Sequence, residues 1–206
     1  MMSTHALKGP PADLHDIPLD IRQVPPDRLT RISWHDTGEP FFGTRATNRF
    51  DDASLPVENR FGTCYLGMSL TVAFAESILH DRDPEGGHFH VTSSEIGMRF
   101  AYRLDGPPLR LAKLTGAALK KLGGHGELSG TRDYAIPRQW SRAIATHPDS
   151  VDGFMYMSRH VNDDIAVVLF RRDFAKPLAV TAGPAVPLYQ HVDFLPTMAE
   201  LGVKAS

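Results

Sequence analysis

Glu76 stands in the stretch FGTCYLGMSLTVAFAESILHD, residues 61–81, where most of its neighbours are apolar. A carboxylate in such company either faces water through a narrow polar sector or lines a cleft, where it can offset positive charge developing on a bound molecule. Upstream, the loop 35–52, HDTGEPFFGTRATNRFDD, carries Arg45 and Arg49 among Phe41, Phe42 and Phe50. Arg supplies a planar fork of donors and the aromatics supply flat apolar contact, which suits a binding loop; the plainer reading is that the aromatics tuck a long loop onto the core. Downstream, His80, Asp81, His88 and His90 fall within HDRDPEGGHFH. His88 and His90 would project from one face of a strand, but no third ligand stands at a recognised spacing, so no metal is expected.

The elements that must position these groups can be read from periodicity. Residues 63–68 alternate, with Cys64 and Leu66 on one face and Thr63 and Tyr65 on the other, as in a half-buried strand. Ser69 is a natural N-cap for a helix over 70–80, a run free of Gly and Pro. On that helix Glu76, Ser77 and His80 share one polar sector and the rest of the circumference is apolar. The first strand is expected at 29–34, with Arg31 and Ser33 on one face. Consecutive strands are expected at 88–95, 99–104 and 109–114, then a short helix from a Thr115 cap through Leu122 and another over 137–146. Strands at 153–157, 165–171 and 177–181 and a terminal helix over 193–202 complete the reading. Many short strands without strict strand–helix alternation make the fold class α+β, a single domain on a mixed, mostly antiparallel sheet.

Composition bounds the role. At 206 residues, with 42% hydrophobic and 22% charged residues, the chain fits one large domain with a real core. A formal net charge of −2 and no basic, aromatic-laced patch exclude a protein whose main partner is a phosphate backbone, so no direct nucleic-acid binding is expected. The single cysteine, Cys64, cannot form an internal disulfide and reads as a core residue in a reducing compartment. No secretory leader and no run of about 18 apolar residues occur, which points to the cytoplasm and away from the membrane. Prolines 10, 11, 18, 25 and 26 make residues 1–27 an extended arm ahead of a domain over 28–206, an arm that could wrap the domain or meet a partner or second subunit.

Arg49 in NRFDD, Glu76 in LTVAFAES and Ser158 in YMSRH together resemble the RES family, named for its Arg, Glu and Ser. Arg31 in RLTRISW, Tyr65 in FGTCYLG and the closing block GFMYMSRHVNDDIAVVLF extend the likeness from about residue 31 to 170. The resemblance implies a fold similar to ADP-ribosyltransferase toxins and chemistry on NAD as substrate, by hydrolysis, phosphorolysis or ADP-ribosyl transfer. It also implies the toxin role of a bacterial toxin–antitoxin pair, with an Xre-like helix-turn-helix antitoxin as partner and a homo-oligomer as a further option. Its expected site is Glu76, Arg49 and Ser158 for catalysis, with Arg31, Tyr65, Arg49 and Ser158 holding NAD.

The chemistry of that expectation is physical. Breaking the nicotinamide–ribose bond makes an oxocarbenium-like sugar that a carboxylate at Glu76 would stabilise. The two phosphates call for Arg31 and Arg49, nicotinamide could stack on Tyr65, and Ser158 could orient Glu76 or hold the amide or a ribose hydroxyl. Each residue has a plain alternative: Arg31 and Arg49 paired with Asp36, Asp51 or Asp52, Tyr65 in the core, Ser158 turning the chain. A nucleotide-binding or protein-partner module without catalysis is the competing class.

Overall fold

A computed structural model describes residues 7–54 and 56–206. In chain order it forms β1 (Ile21–Val24), β2 (Thr30–Ser33), β3 (Gly62–Gly67), α1 (Leu70–Ser77), β4 (Phe89–Val91) and α2 (Ser93–Gly97). There follow β5 (Phe100–Asp105), β6 (Leu109–Leu114), α3 (Gly116–Lys121), α4 (Glu127–Gly130), α5 (Ala135–Ala145), β7 (Gly153–Met157) and β8 (Ile165–Arg171). The chain ends with β9 (Thr181–Ala182), β10 (Val186–Pro187), α6 (Phe194–Glu200) and β11 (Val203–Ala205). The main sheet runs β1-β6-β7-β8-β3-β2-β5-β10, with β9 added beside β5. Among the described residues, only its β6–β7 pair is parallel. The expected α+β class with a mixed, mostly antiparallel sheet is therefore the fold observed.

The sheet must curl. Four strands separate β5 from β6, so a flat sheet would hold them about 24 Å apart at roughly 4.8 Å per step. Yet only Gly106, Pro107 and Pro108 connect them, a link that reaches at most about 14 Å. Bending brings the two ends together around an apolar filling of Val24, Leu66, Leu104, Leu111, Val167 and Leu169. The opposite face, with Phe154, Val168 and Phe170, packs on Trp140 and Ile144 of α5. A third cluster joins Ile32, Phe74, Ile78, Val91, Phe194 and Val203, so α1 is held between the sheet and α6.

Residues 1–27 were expected to be an extended arm. In its described part, from residue 7, that segment lies against the domain: β1 pairs antiparallel with β6, and Leu14 and Leu19 are buried in the core cluster of α5. Prolines 18, 25 and 26 lie outside β1, so they remove no donor from its ladder to β6.

Three other expectations change. The strand expected over 88–95 stops at Val91, because Thr92 caps α2 by accepting a bond from the Glu95 N–H at 3.1 Å. That strand leaves the main sheet and pairs in parallel with β11, a strand the sequence reading did not contain. Finally, 177–181 is irregular until β9 begins at Thr181.

Candidate functional site

The β3–α1 unit folds as its pattern dictates. Ser69 Oγ accepts a bond from the Val72 N–H at 3.2 Å, and Gly67 permits a tight entry. A Cβ at position 67 would stand 2.6 Å from the Ala73 nitrogen, so the strand reaches the helix only with glycine there. The first six residues of α1 are buried, and Glu76 opens toward a cleft. α1 ends at Ser77, one turn short of expectation, with Ile78 still in helical conformation and His80 in the following turn.

The loop 158–164 fastens Glu76 in place. Ser158 Oγ, fully buried, donates to Glu76 Oε1 at 2.6 Å, and the Arg159 N–H reaches the same oxygen at 3.2 Å. The Ser158 hydroxyl in turn accepts from the N–H groups of His160 and Val161 at 3.2 and 3.1 Å, so its one proton is committed to Glu76. At the far end of the helix Ser69 Oγ donates to Asp164 Oδ2 at 2.9 Å. One loop thus grips α1 at both ends. Glu76 Oε2 has no hydrogen-bond partner among the described residues. Ser158, expected at the site, is there as the group that holds Glu76 from behind.

Across the cleft, Arg49 is held by the loop that precedes β3. Asp51, 2% exposed, accepts bonds from the Thr47 and Asn48 N–H groups at 2.9 and 2.8 Å and from the Tyr65 hydroxyl at 2.9 Å. Asp52 accepts from the Phe61 N–H and pairs with Arg142 at 3.0 Å. The two aspartates of NRFDD are therefore structural anchors, and neither neutralises Arg49. Its guanidinium lies 4.7 Å from the centre of the Tyr134 ring, and Nη1 donates to the Thr131 carbonyl. Nη2 is buried with no partner among the described residues. Burial lowers the Arg49 pKa, Tyr134 and Glu76 oppose the shift, and the group remains a cation.

Arg31 lies on the same wall but in a different state. Its Nε donates to Glu39 at 2.8 Å and its Nη1 to the Tyr65 carbonyl at 3.1 Å. Arg31 was expected to hold NAD, with pairing to Asp36, Asp51 or Asp52 as the plain alternative; its partner is instead Glu39, in the loop that follows β2. Tyr65 presents its ring to the cleft while its hydroxyl also accepts the Phe50 N–H at 3.0 Å. Burial, with Asp51 beside it, raises the Tyr65 pKa well above the usual range, so the hydroxyl stays protonated. Burial likewise pushes the Cys64 thiol up to about 11 and leaves it an inert core group.

The cleft has a volume of about 640 Å³, within the range of small-molecule sites. Arg31, Arg49, Tyr65 and Glu76 all line it, and Ser158 lies just beneath. Of the further lining groups, the sequence reading noted Arg45 in its loop and missed Tyr156. Arg45 is exposed at the rim and makes no ion pair among the described residues. Tyr156, on β7, is buried between Glu76 and Arg49, and burial followed by the Glu76 charge raises its pKa. The signal was strand parity, since Tyr156 lies two residues before Ser158 and shares its side.

The histidines separate. His90 is exposed and His88 turns toward the Gly202 carbonyl, so neither joins His80. His160 does: its ring lies 5.4 Å from that of His80, and Glu76, His80 and His160 offer ligand atoms within 4.8 Å of one another. Burial lowers the His160 pKa, with Glu76 opposing and His80 adding to the shift.

Comparison with curated proteins returned no match. Among solved structures, a chain of the M. tuberculosis MbcT-MbcA toxin-antitoxin complex superposes with a TM-score of 0.56 at 14% identity. The superposition covers 77% of this chain and 81% of that one, so the two share a fold. The sequence profile of the RES domain matches residues 7–190, nearly the whole chain and including the segment read as an arm. That match spans well over half of the chain's length, and this chain belongs to the RES family.

Proposed function

We propose that the cleft binds NAD and cleaves its nicotinamide–ribose bond. One observation carries the reading: Glu76 is held through Oε1 and unpaired at Oε2, and it shares a cleft with Arg49, whose buried Nη2 has no partner among the described residues. An anion fixed in advance at the point where a sugar cation forms needs no reorganisation during reaction, and such fixed charges lower a barrier by several kcal/mol. An orphaned, buried guanidinium nitrogen is a donor awaiting an oxygen, and a phosphate of the dinucleotide supplies one.

The remaining roles follow from the same arrangement. Arg49 takes the diphosphate with Arg45 beside it at the rim, the Tyr65 ring stacks on nicotinamide, and Ser158 fixes the Glu76 carboxylate without touching substrate. Arg31 supports the wall through its bonds to Glu39 and the Tyr65 carbonyl. Neutral nicotinamide leaves with the bonding electrons, and water, phosphate or a protein side chain takes the sugar. Membership of the RES family, and the fold shared with a chain of a toxin–antitoxin complex, support a toxin role in the cytoplasm with an antitoxin, of the Xre-like helix-turn-helix kind, covering the cleft. No helix among the described residues is long and apolar enough to cross a membrane.

The test is chromatography of NAD incubated with the wild type and with Glu76→Ala, with and without phosphate and a protein acceptor. Wild type should release nicotinamide, and the variant should lose turnover by a factor of about 100 or more while keeping its melting temperature. ADP-ribose, ADP-ribose phosphate or a labelled protein identifies the acceptor. Intact NAD under every condition overturns the reading, and stoichiometric binding without turnover assigns a nucleotide-binding module instead.

A further inference from the structure

Glu76, His80 and His160 bring one carboxylate and two imidazoles to the end of the cleft, from elements whose placement is already fixed. Glu76 and His80 are four residues apart, and Ile78 continues the helical conformation past the end of α1, so both side chains point the same way. His160 is delivered by the loop that holds Glu76, its own N–H bonded to the Ser158 hydroxyl. The ligand atoms lie within 4.8 Å of one another. A tetrahedral ion with bonds of about 2.0–2.1 Å places its ligands roughly 3.3 Å apart, so rotation of the side chains by about 1.5 Å closes the set.

A second observation points to a ligand. His80 Nδ1 and His160 Nε2 are both buried and both without a hydrogen-bond partner among the described residues. An unsatisfied buried polar atom costs about 1–3 kcal/mol, and two such nitrogens in one cluster call for an explanation. A lone pair on neutral imidazole is a metal ligand, and two imidazoles with one carboxylate is a donor set of zinc sites that keep a fourth position open. Here that position faces the cleft, because Glu76 and His80 line it.

We propose that Glu76, His80 and His160 bind a divalent cation of the zinc class, and that the bound ion occupies the Glu76 carboxylate and blocks the cleft. The block rests on the NAD reading above, whereas the uptake of the ion does not. Arg49 and Arg159 act electrostatically on the same cluster, and their repulsion makes the ion exchangeable, an inhibitor that a chelator removes. The sequence hid this group because His160 lies 80 residues from His80, while the nearer His88 and His90 belong to another surface.

The experiment is calorimetric titration of the chelator-treated full chain with Zn²⁺, repeated with Co²⁺ followed by visible absorption. Wild type should take up one equivalent. His160→Asn and Glu76→Gln should each lower affinity by more than the roughly 10–100-fold that loss of an outer partner costs, while His90→Asn, at an exposed histidine outside the cluster, should not change it. Ring-nitrogen NMR of wild type, which needs no variant, should shift at His80 and His160 alone. No uptake, uptake indifferent to both cluster variants, or shifts at other histidines overturns the site. NAD consumption by the chelated enzyme should fall on adding Zn²⁺ and return with chelator, and consumption unchanged at saturating Zn²⁺ overturns ligation by Glu76. If the chelated enzyme leaves NAD intact, the functional reading fails and the titration still decides the ion site.

Discussion

Arg31 and Arg49 line one cleft, and their surroundings make them opposites. Arg31 is spent: Glu39 takes Nε, the Tyr65 carbonyl takes Nη1, and the guanidinium braces β2 against β3. Arg49 is held at one nitrogen and by the Tyr134 face, which leaves a buried donor with nothing to meet. The nearby aspartates sharpen the contrast, since Asp51 and Asp52 are bound to backbone, Tyr65 and Arg142 and are withheld from Arg49. Proximity to a cleft does not make a cation a binding group; an unsatisfied donor does. The comparison predicts that one arginine governs affinity and the other stability.

Arg49→Ala is the stronger test on function. Losing a charge-assisted bond to phosphate should reduce kcat/KM for NAD by about 10–150-fold, equivalent to roughly 1.5–3 kcal/mol, with little change in melting temperature. Arg49→Lys should recover only a small part, because an ammonium cannot both bond the Thr131 carbonyl and lie flat over Tyr134 while reaching the ligand. Steady-state kinetics with thermal melts on the same samples decides it. A variant that melts early while retaining wild-type KM would invert the assignment.

Arg31→Ala should do the reverse. It strands Glu39, whose side chain is 1% exposed, beside an empty space. Removing one partner of an enclosed pair costs roughly 3–5 kcal/mol, and the 19% exposure of the Arg31 side chain reduces that to about 2 kcal/mol. KM for NAD should change less than threefold. Arg31→Ala with Glu39→Ala should recover part of the loss, since the uncompensated charge is then gone. Denaturant unfolding of the two single variants and the double variant measures the coupling, and simple additivity would show that the pair does not act as one unit.

How much of this contrast could be read in advance depends on distance along the chain. Ser69, Glu76 and the alternation of 63–68 are local, and the strand and cap formed where their pattern put them; the strands at 109–114, 153–157 and 165–171 are local in the same sense. Ser158 was legible through its flanking strand, though its burial behind Glu76 was not. Whether a cation is free is a nonlocal fact. The Glu39 that consumes Arg31 and the Thr131 and Tyr134 that hold Arg49 come from loops and from the residue before α5, and no periodicity announces them. β1 was hidden because prolines bracket four residues that need only one neighbour, and β11 because three residues become a strand only when β4 lies beside them. α2 was readable: Thr92 to Glu95 has the spacing of a capping box, a signal that reading 88–95 through as one strand passed over.

Acid provides the smallest and most selective break in the comparison. Burial pushes the Glu39 carboxyl up, but the Arg31 charge and its bond, with Ser33 and the Phe41 N–H adding to them, hold it below its ordinary value of 4.5. A carboxylate whose folded pKa is depressed contributes stability that is fully present above the unfolded value and lost as pH falls through the folded one. The wild-type advantage over Glu39→Gln should therefore be constant from neutral pH down to about 5, shrink below 4.5, and vanish once Glu39 is protonated in both folded and unfolded chains. The difference between the two unfolding curves isolates this group from the other carboxylates that titrate in the same range. The protonated Glu39 no longer answers the Arg31 charge, and acid thereby turns the satisfied arginine into one like Arg49. A gap that stays constant down to pH 3 would mean that Glu39 does not discharge Arg31, and the distinction between the two arginines would then rest on hydrogen-bond geometry alone.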